Sequence, residues 1–199
     1  MPDPVLPRPA ASLLVWRAFG EGAVVLMGLR GAGHRFMPNR LVFPGGAVDP
    51  GDRDAAAASE PLPHVRRLLA GQADAGLGRA LLHAAARELD EETGLSLGRP
   101  PALAGLDYLC RAITPAASPV RFDAHFFTVG ADAASGTLAG SGELEDLRWI
   151  PLAEARVLDL AFVTRHVLGQ FEAWLALAPA GRAARGAVPV LRERVWSDG

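Results

Sequence analysis

Arg87-Glu88-Leu89-Asp90-Glu91-Glu92-Thr93-Gly94-Leu95 closes the strongest helical run of the chain, Arg79–Thr93, with Gly94 standing where a C-terminal cap belongs. On a helix of 3.6 residues per turn, positions 88, 91 and 92 fall within an arc of about 100°. Leu82, Ala85, Ala86 and Leu89 cover a neighbouring arc and can anchor the helix to a core. Three carboxylates are thus crowded together, and two unit charges ~6 Å apart repel by roughly 2–3 kcal/mol at an effective dielectric near 20. They also sit at the C-terminal end of the helix, the unfavourable end of its dipole for anions. A hard divalent cation removes this cost, and oxygen-only ligands suit Mg²⁺ or Mn²⁺ better than zinc. The plainer alternative is a solvated acidic helix end in which Glu88 and Glu92 pair with Arg87 and its neighbours.

Upstream, the short strand Leu41–Pro44 runs into Gly45-Gly46, where backbone can approach a ligand closely. With Phe43-Pro44-Gly45-Gly46 and Arg87–Leu95 in hand, the chain resembles the Nudix hydrolases. Their signature is a glycine, five residues, a glutamate, seven residues, then Arg-Glu-apolar-x-Glu-Glu-x-Gly-apolar. Arg87 to Leu95 matches the second half at every fixed position. Gly46 followed by five residues reaches Asp52, an aspartate where the signature has glutamate. Residues 53–86 separate the halves, 34 residues where the common form has seven. Such a split box, with Phe43–Asp49 fitting Phe-Pro-Gly-Gly-x-x-Asp, resembles the branch of coenzyme A diphosphatases.

The resemblance implies an α/β fold, a Nudix-like α/β/α sandwich with a mixed β-sheet and a loop-helix-loop metal site. It implies Glu88, Glu91 and Glu92 as ligands of Mg²⁺ or Mn²⁺, with the Gly46 carbonyl as a further ligand. Arg87 is expected to brace the loop-helix-loop by pairing with an acidic residue. The general base is expected to be Glu88 or, on the acidic stretch Gly142–Trp149, Glu143. Arg30, His34, Arg35 and Arg40 flank the strand leading to Gly45 and could clamp a diphosphate through guanidinium contacts, with Gly45 and Gly46 beside it. A solvated loop is the other reading of those four residues. Arg121 and His125 are weaker candidates for substrate contact; Cys110 reads as a small core residue and His166 as a surface one.

The remaining chain reads as interleaved strands and helices, a mixed α/β layer fold. Ala11–Arg17 and Ala23–Arg30 form a hairpin about Gly20–Gly22. Asp49–Gly78 is an elaborated surface loop with a helical candidate at Pro63–Leu69. Asp107–Thr114, Phe122–Val129 and Asp146–Ile150 are strands, Pro151–Arg156 a helical turn, and Asp159–Leu177 an amphipathic helix. The expected organisation is a tail over residues 1–10, one domain over 11–178 with an insertion at about 53–79, and a C-terminal extension over 179–199.

Composition narrows the function classes. Of 199 residues, half are apolar, which excludes a disordered chain. The 22 acidic and 20 basic residues leave no basic surplus, so no nucleic-acid partner is expected. No apolar run approaches the ~18 residues of a membrane span, no secretory leader is evident in Met1–Pro9, and one cysteine permits no internal disulfide. Composition suits a cytoplasmic protein, and the resemblance implies an enzyme acting on a small-molecule diphosphate, with a homodimer left open. Coenzyme A or an acyl-CoA is the first substrate expected, with ADP-ribose, nucleotide sugars and dinucleotides as alternatives. The competing classes are a catalytically silent ligand-binding regulatory module and an acidic interaction protein without ligand.

Overall fold

The computed structural model describes residues 5–31 and 39–198. β1 (Arg8–Phe19) and β2 (Gly22–Arg30) make the expected antiparallel hairpin, turning at Gly20 with φ 56°. Leu13 and Val15 of β1 face one core, whereas Leu14 and Trp16 face another. This two-residue alternation, apolar on both sides, is that of a strand buried on both faces. The Leu41–Pro44 strand divides in two: β3 (Leu41–Val42) pairs with β2, and β4 (Gly45–Ala47) pairs with the first half of β1. Pro44 has no N–H for either ladder, but its carbonyl accepts from Leu13 N at 2.9 Å.

Two helices cover one face. α1 (Pro63–Ala70) places Val65, Leu68 and Leu69 in the first core, so the segment read as surface loop contributes to the hydrophobic interior. α2 (Ala75–Thr93) begins four residues earlier than the sequence suggests. The Asp74 carboxylate caps it by accepting from Leu77 N at 2.9 Å, and the buried Gly78 sits beside Leu69 of α1. At the other end Gly94, with φ 70°, supplies the expected left-handed cap. A two-stranded pair of β5 (Leu95–Ser96) and β8 (Ser135–Gly136) follows on.

β6 (Asp107–Ile113), β7 (Phe122–Gly130) and β9 (Leu144–Pro151) complete the expected strands, β9 starting two residues earlier than read. β7 lies parallel to β1, and β9 antiparallel to β2. After the short α3 (Leu152–Ala155), α4 (Phe162–Leu175) packs Val167, Phe171 and Trp174 on the second core with Cys110. It starts at 162 rather than 159, because Asp159 turns to Arg40 instead of entering the helix.

The chain end differs most from expectation. After α5 (Pro179–Ala183), β10 (Pro189–Arg192) runs parallel to β6 and turns into β11 (Val195–Asp198), so residues read as an extension form the edge of the main sheet. Arg8–Ala10, read as tail, already belong to β1. The sheet order is β11-β10-β6-β7-β1-β2-β3, with β4 beside β1 and β9 beside β2. Helices on both faces of this mixed sheet give the expected α/β/α sandwich. No helix among the described residues is long and apolar enough to cross a membrane.

Candidate active site

The split halves of the signature meet at Arg87. Its guanidinium donates to both oxygens of Asp52 (3.2 and 3.1 Å), to Glu88 (2.8 Å), to Glu91 (3.0 Å) and to the carbonyl of Ala47 (3.0 Å). Asp52 sits in a single 3₁₀ turn, Pro50–Arg53, is 4% exposed, and also accepts from Asp49 N. The inserted segment therefore leaves and returns so that Asp52, just before it, meets Arg87 of the helix after it. Burial opposes the Arg87 charge, yet its hydrogen bonds to Asp52 and Glu88 raise its pKa further above the usual arginine range. Arg87 thus ties the 3₁₀ turn, the β4 strand and the end of α2 together through its hydrogen bonds.

The three glutamates fare differently. Glu92 is 2% exposed and accepts from Gly45 N at 2.8 Å. Burial pushes its pKa up to about 7, opposed by the Gly45 N–H and Arg30 and assisted by Glu88 and Glu143. Glu88 is also pushed up by burial, against the pull of Arg87. Glu91 is more than half exposed and bridges outward to Arg87. Among the described residues no three Asp, Glu, His or Cys side chains converge as a ready metal-binding group, since Arg87 draws Glu88 and Glu91 to itself.

The donor set nonetheless fits a hard cation. All side-chain donors are carboxylate oxygens, and burial raises the pKa of Glu88 and Glu92, a cost that a bound cation would offset. A Cβ on Gly46 would overlap the Glu88 carboxylate, so only glycine lets strand and acid approach this closely. At Gly45 a Cβ would stand 2.6 Å from Ser12 Cα.

A cavity of about 550 Å³ opens over these glycines and brings together Glu88, Glu143, Arg30, Gly45 and Gly46. Arg30 carries a buried Nε with no hydrogen-bond partner. Arg40 does not line the cavity; its guanidinium is held by the Asp159 side chain and carbonyl, which removes it as a clamp. His34 and Arg35 lie outside the described residues. His125 is buried, shares a 2.6 Å hydrogen bond with the Tyr108 hydroxyl, and Arg121 binds the carbonyls of Val5 and Thr114; neither lines the cavity. Cys110 is in the core, and His166 is half-buried, its ring tilted against Phe162 with a centroid separation of 4.0 Å. Sequence reasoning missed Ser12, Thr164 and Arg194, which line the same cavity from β1, α4 and the β10–β11 turn. No local motif marks them, because tertiary pairing brings them there.

A family model described as NUDIX domain matches residues 6–171. The chain belongs to this family. It is a hydrolase of the pyrophosphatase kind. A Nudix hydrolase of Alicyclobacillus acidocaldarius is 27% identical with a TM-score of 0.65, over 82% of this chain and 90% of its own. The Nudix domain of Shewanella oneidensis NrtR, solved with ADP ribose, is 18% identical with a TM-score of 0.55, over 86% of this chain and 90% of that one. A MutT Nudix hydrolase of Burkholderia pseudomallei is 22% identical with a TM-score of 0.53, over 83% and 98%. No curated protein matches the chain.

Proposed function

We propose that this Nudix hydrolase cleaves the diphosphate linkage of a nucleoside diphosphate derivative, with Mg²⁺ or Mn²⁺ held by Glu88, Glu91, Glu92 and the Gly46 carbonyl. The observation that carries this reading is the shared cavity: an acid on the signature helix, a second acid at Glu143, and the Arg30 guanidinium all border the Gly45–Gly46 strand. When bound, the metal neutralises phosphate oxygens and lowers the pKa of a water. Arg30, which lines the cavity and has an Nε without a hydrogen-bond partner, binds a phosphate oxygen through its guanidinium. Glu143 takes the proton of the attacking water, which forms a new P–O bond as the bridging oxygen leaves with one phosphate. Its nearness to Glu88 and Glu92 is felt as a contribution to the raised pKa of each. Arg87 keeps Glu88 and Glu91 on the helix face against their repulsion.

Coenzyme A or an acyl-CoA is the first substrate to try, on the Phe43–Asp49 resemblance and the split box. ADP-ribose, nucleotide sugars and dinucleotides follow. NrtR, solved with ADP ribose and separately with a 27mer DNA, makes a ligand-binding module the second reading. Here a pure binder would have no use for a buried Glu92 beside Glu88. The expected setting is cytoplasmic, with no nucleic acid or membrane partner, and a homodimer is the assembly to look for.

The test is incubation with Mg²⁺ or Mn²⁺ and a panel of diphosphate compounds, with products analysed. At least one compound is expected to be cut, and Glu92→Gln or Glu91→Gln to slow that cleavage. Cleavage unchanged in both variants contradicts the metal assignment. Glu143→Gln is expected to lose about 10²-fold in kcat with metal affinity retained; the same loss confined to Glu88→Gln moves the base to Glu88.

A further inference from the structure

The cavity extends well past the carboxylates. Arg192, Ile113, Asp123 and Pro9 lie in one row across β10, β6, β7 and β1, and β4 lies beyond β1. Four strand spacings of about 4.8 Å put the β10 edge roughly 19 Å from β4. The wall between is apolar, with Ile113, Phe126 and Leu191 among its residues.

At the far edge the cavity meets the first turn of α4. Ala161, Phe162, Val163 and Thr164 all line it, and no side chain caps that turn, so its N–H groups border the cavity unclaimed by a cap. Thr164 is 3% exposed, and its hydroxyl has no hydrogen-bond partner among the described residues. Thr93, by contrast, turns its hydroxyl back to the Leu89 carbonyl at 2.6 Å, the usual resort of a helical threonine. The Thr164 hydroxyl, on a side chain otherwise almost wholly buried, meets the cavity and is placed to donate to a ligand atom there.

Arg194 completes this end. It lines the cavity from the β10–β11 turn, its Cζ 5.4 Å from the centroid of the Phe162 ring, and makes no ion pair among the described residues. Glu193 and Arg194 both hold positive φ, 47° and 65°, where Asn-Gly would be the easy choice. The Glu193 carboxylate accepts from Ala116 N at 2.9 Å and ties the turn to the loop after β6. The nearest acid on the approach to α4, Asp159, is taken by Arg40.

We infer that the first turn of α4, the Thr164 hydroxyl and the Arg194 guanidinium bind a second anionic group of the substrate, a phosphate monoester on the organic part beyond the diphosphate. This rests on reading the Glu88 end as the place of diphosphate cleavage. Substrates carrying such a group are distinguished from otherwise identical ones by the oxyanion at the α4 end, while the apolar wall accepts the nucleoside between.

The experiment uses two pairs that differ only by one phosphate monoester: coenzyme A against dephospho-coenzyme A, and NADPH against NADH. Affinities are measured by calorimetry with EDTA present, for the full chain and for Thr164→Val and Arg194→Gln. In at least one pair the phosphorylated member is expected to bind at least tenfold more tightly, with that ratio falling toward one in both variants. Equal affinities within both pairs, or a ratio that survives both substitutions, overturn the inference. Hydrolysis with Mn²⁺ is read separately. If no compound is cut while the ratio and its loss persist, the cleavage reading of the Glu88 end fails and the α4 site stands.

Discussion

Replacing Gly46 with alanine places a methyl group inside the Glu88 carboxylate. The Gly46 backbone is not in a positive-φ conformation, so alanine strains only that contact. Displacing one catalytic group by about 1 Å can cost 10²-fold in rate, and a loss of that order in kcat is expected with thermal stability near that of the parent. An unchanged kcat would separate Glu88 from the chemistry. A second residue-scale expectation concerns His125. Burial lowers its pKa to about 4, assisted by Arg111 and opposed by Asp123. Below its ordinary pKa near 6.5 the unfolded chain takes up a proton that the folded chain refuses, so stability falls as pH drops through that window. About 2 kcal/mol is expected to be lost between pH 7.5 and 5 through this residue, read as the difference in chemical denaturation between the parent and His125→Gln. An identical pH dependence in both proteins contradicts it.

At the scale of elements, α1 decides what the insertion is. If Leu68 belongs to the core, as its 3% exposure indicates, Leu68→Ala costs about 2–4 kcal/mol by denaturant unfolding. A helix on a mere surface loop would lose under about 0.5 kcal/mol. The helix carrying Glu88 was legible in the sequence because its signals are local: apolar spacing, the Gly94 cap and the signature residues. The same holds for the β1–β2 hairpin, with Gly20 between two apolar runs. What was not legible depends on partners distant in the chain. β10 carries Val190 and Leu191, only two apolar residues of a short strand, and acquires meaning by lying beside β6. Arg40 resembled a phosphate clamp by position, and only the fold brings Asp159 to it. The return of Asp52 to Arg87 across 34 intervening residues is likewise invisible to spacing.

At the scale of the whole molecule, one sheet serves two purposes. Its β1–β4 side holds Gly45 and Gly46 against α2, where charge is concentrated and braced by Arg87. Its β6–β10 side supplies an apolar wall and a cationic turn. Helices cover both faces of the sheet, and the cavity spans the strands between its two ends. The family fold sets the first side, and the chain's own C-terminal strands set the second. The central claim, that Glu88 and Glu92 are acids placed to hold a divalent ion, is tested most directly by anomalous diffraction from crystals grown with MnCl₂. The expected result is one strong manganese peak within coordination distance of Glu88 and Glu92 oxygens, with Arg87 still on Asp52. No peak at that corner, with Glu88 still on Arg87 and Glu92 still on Gly45 N at saturating manganese, would contradict it.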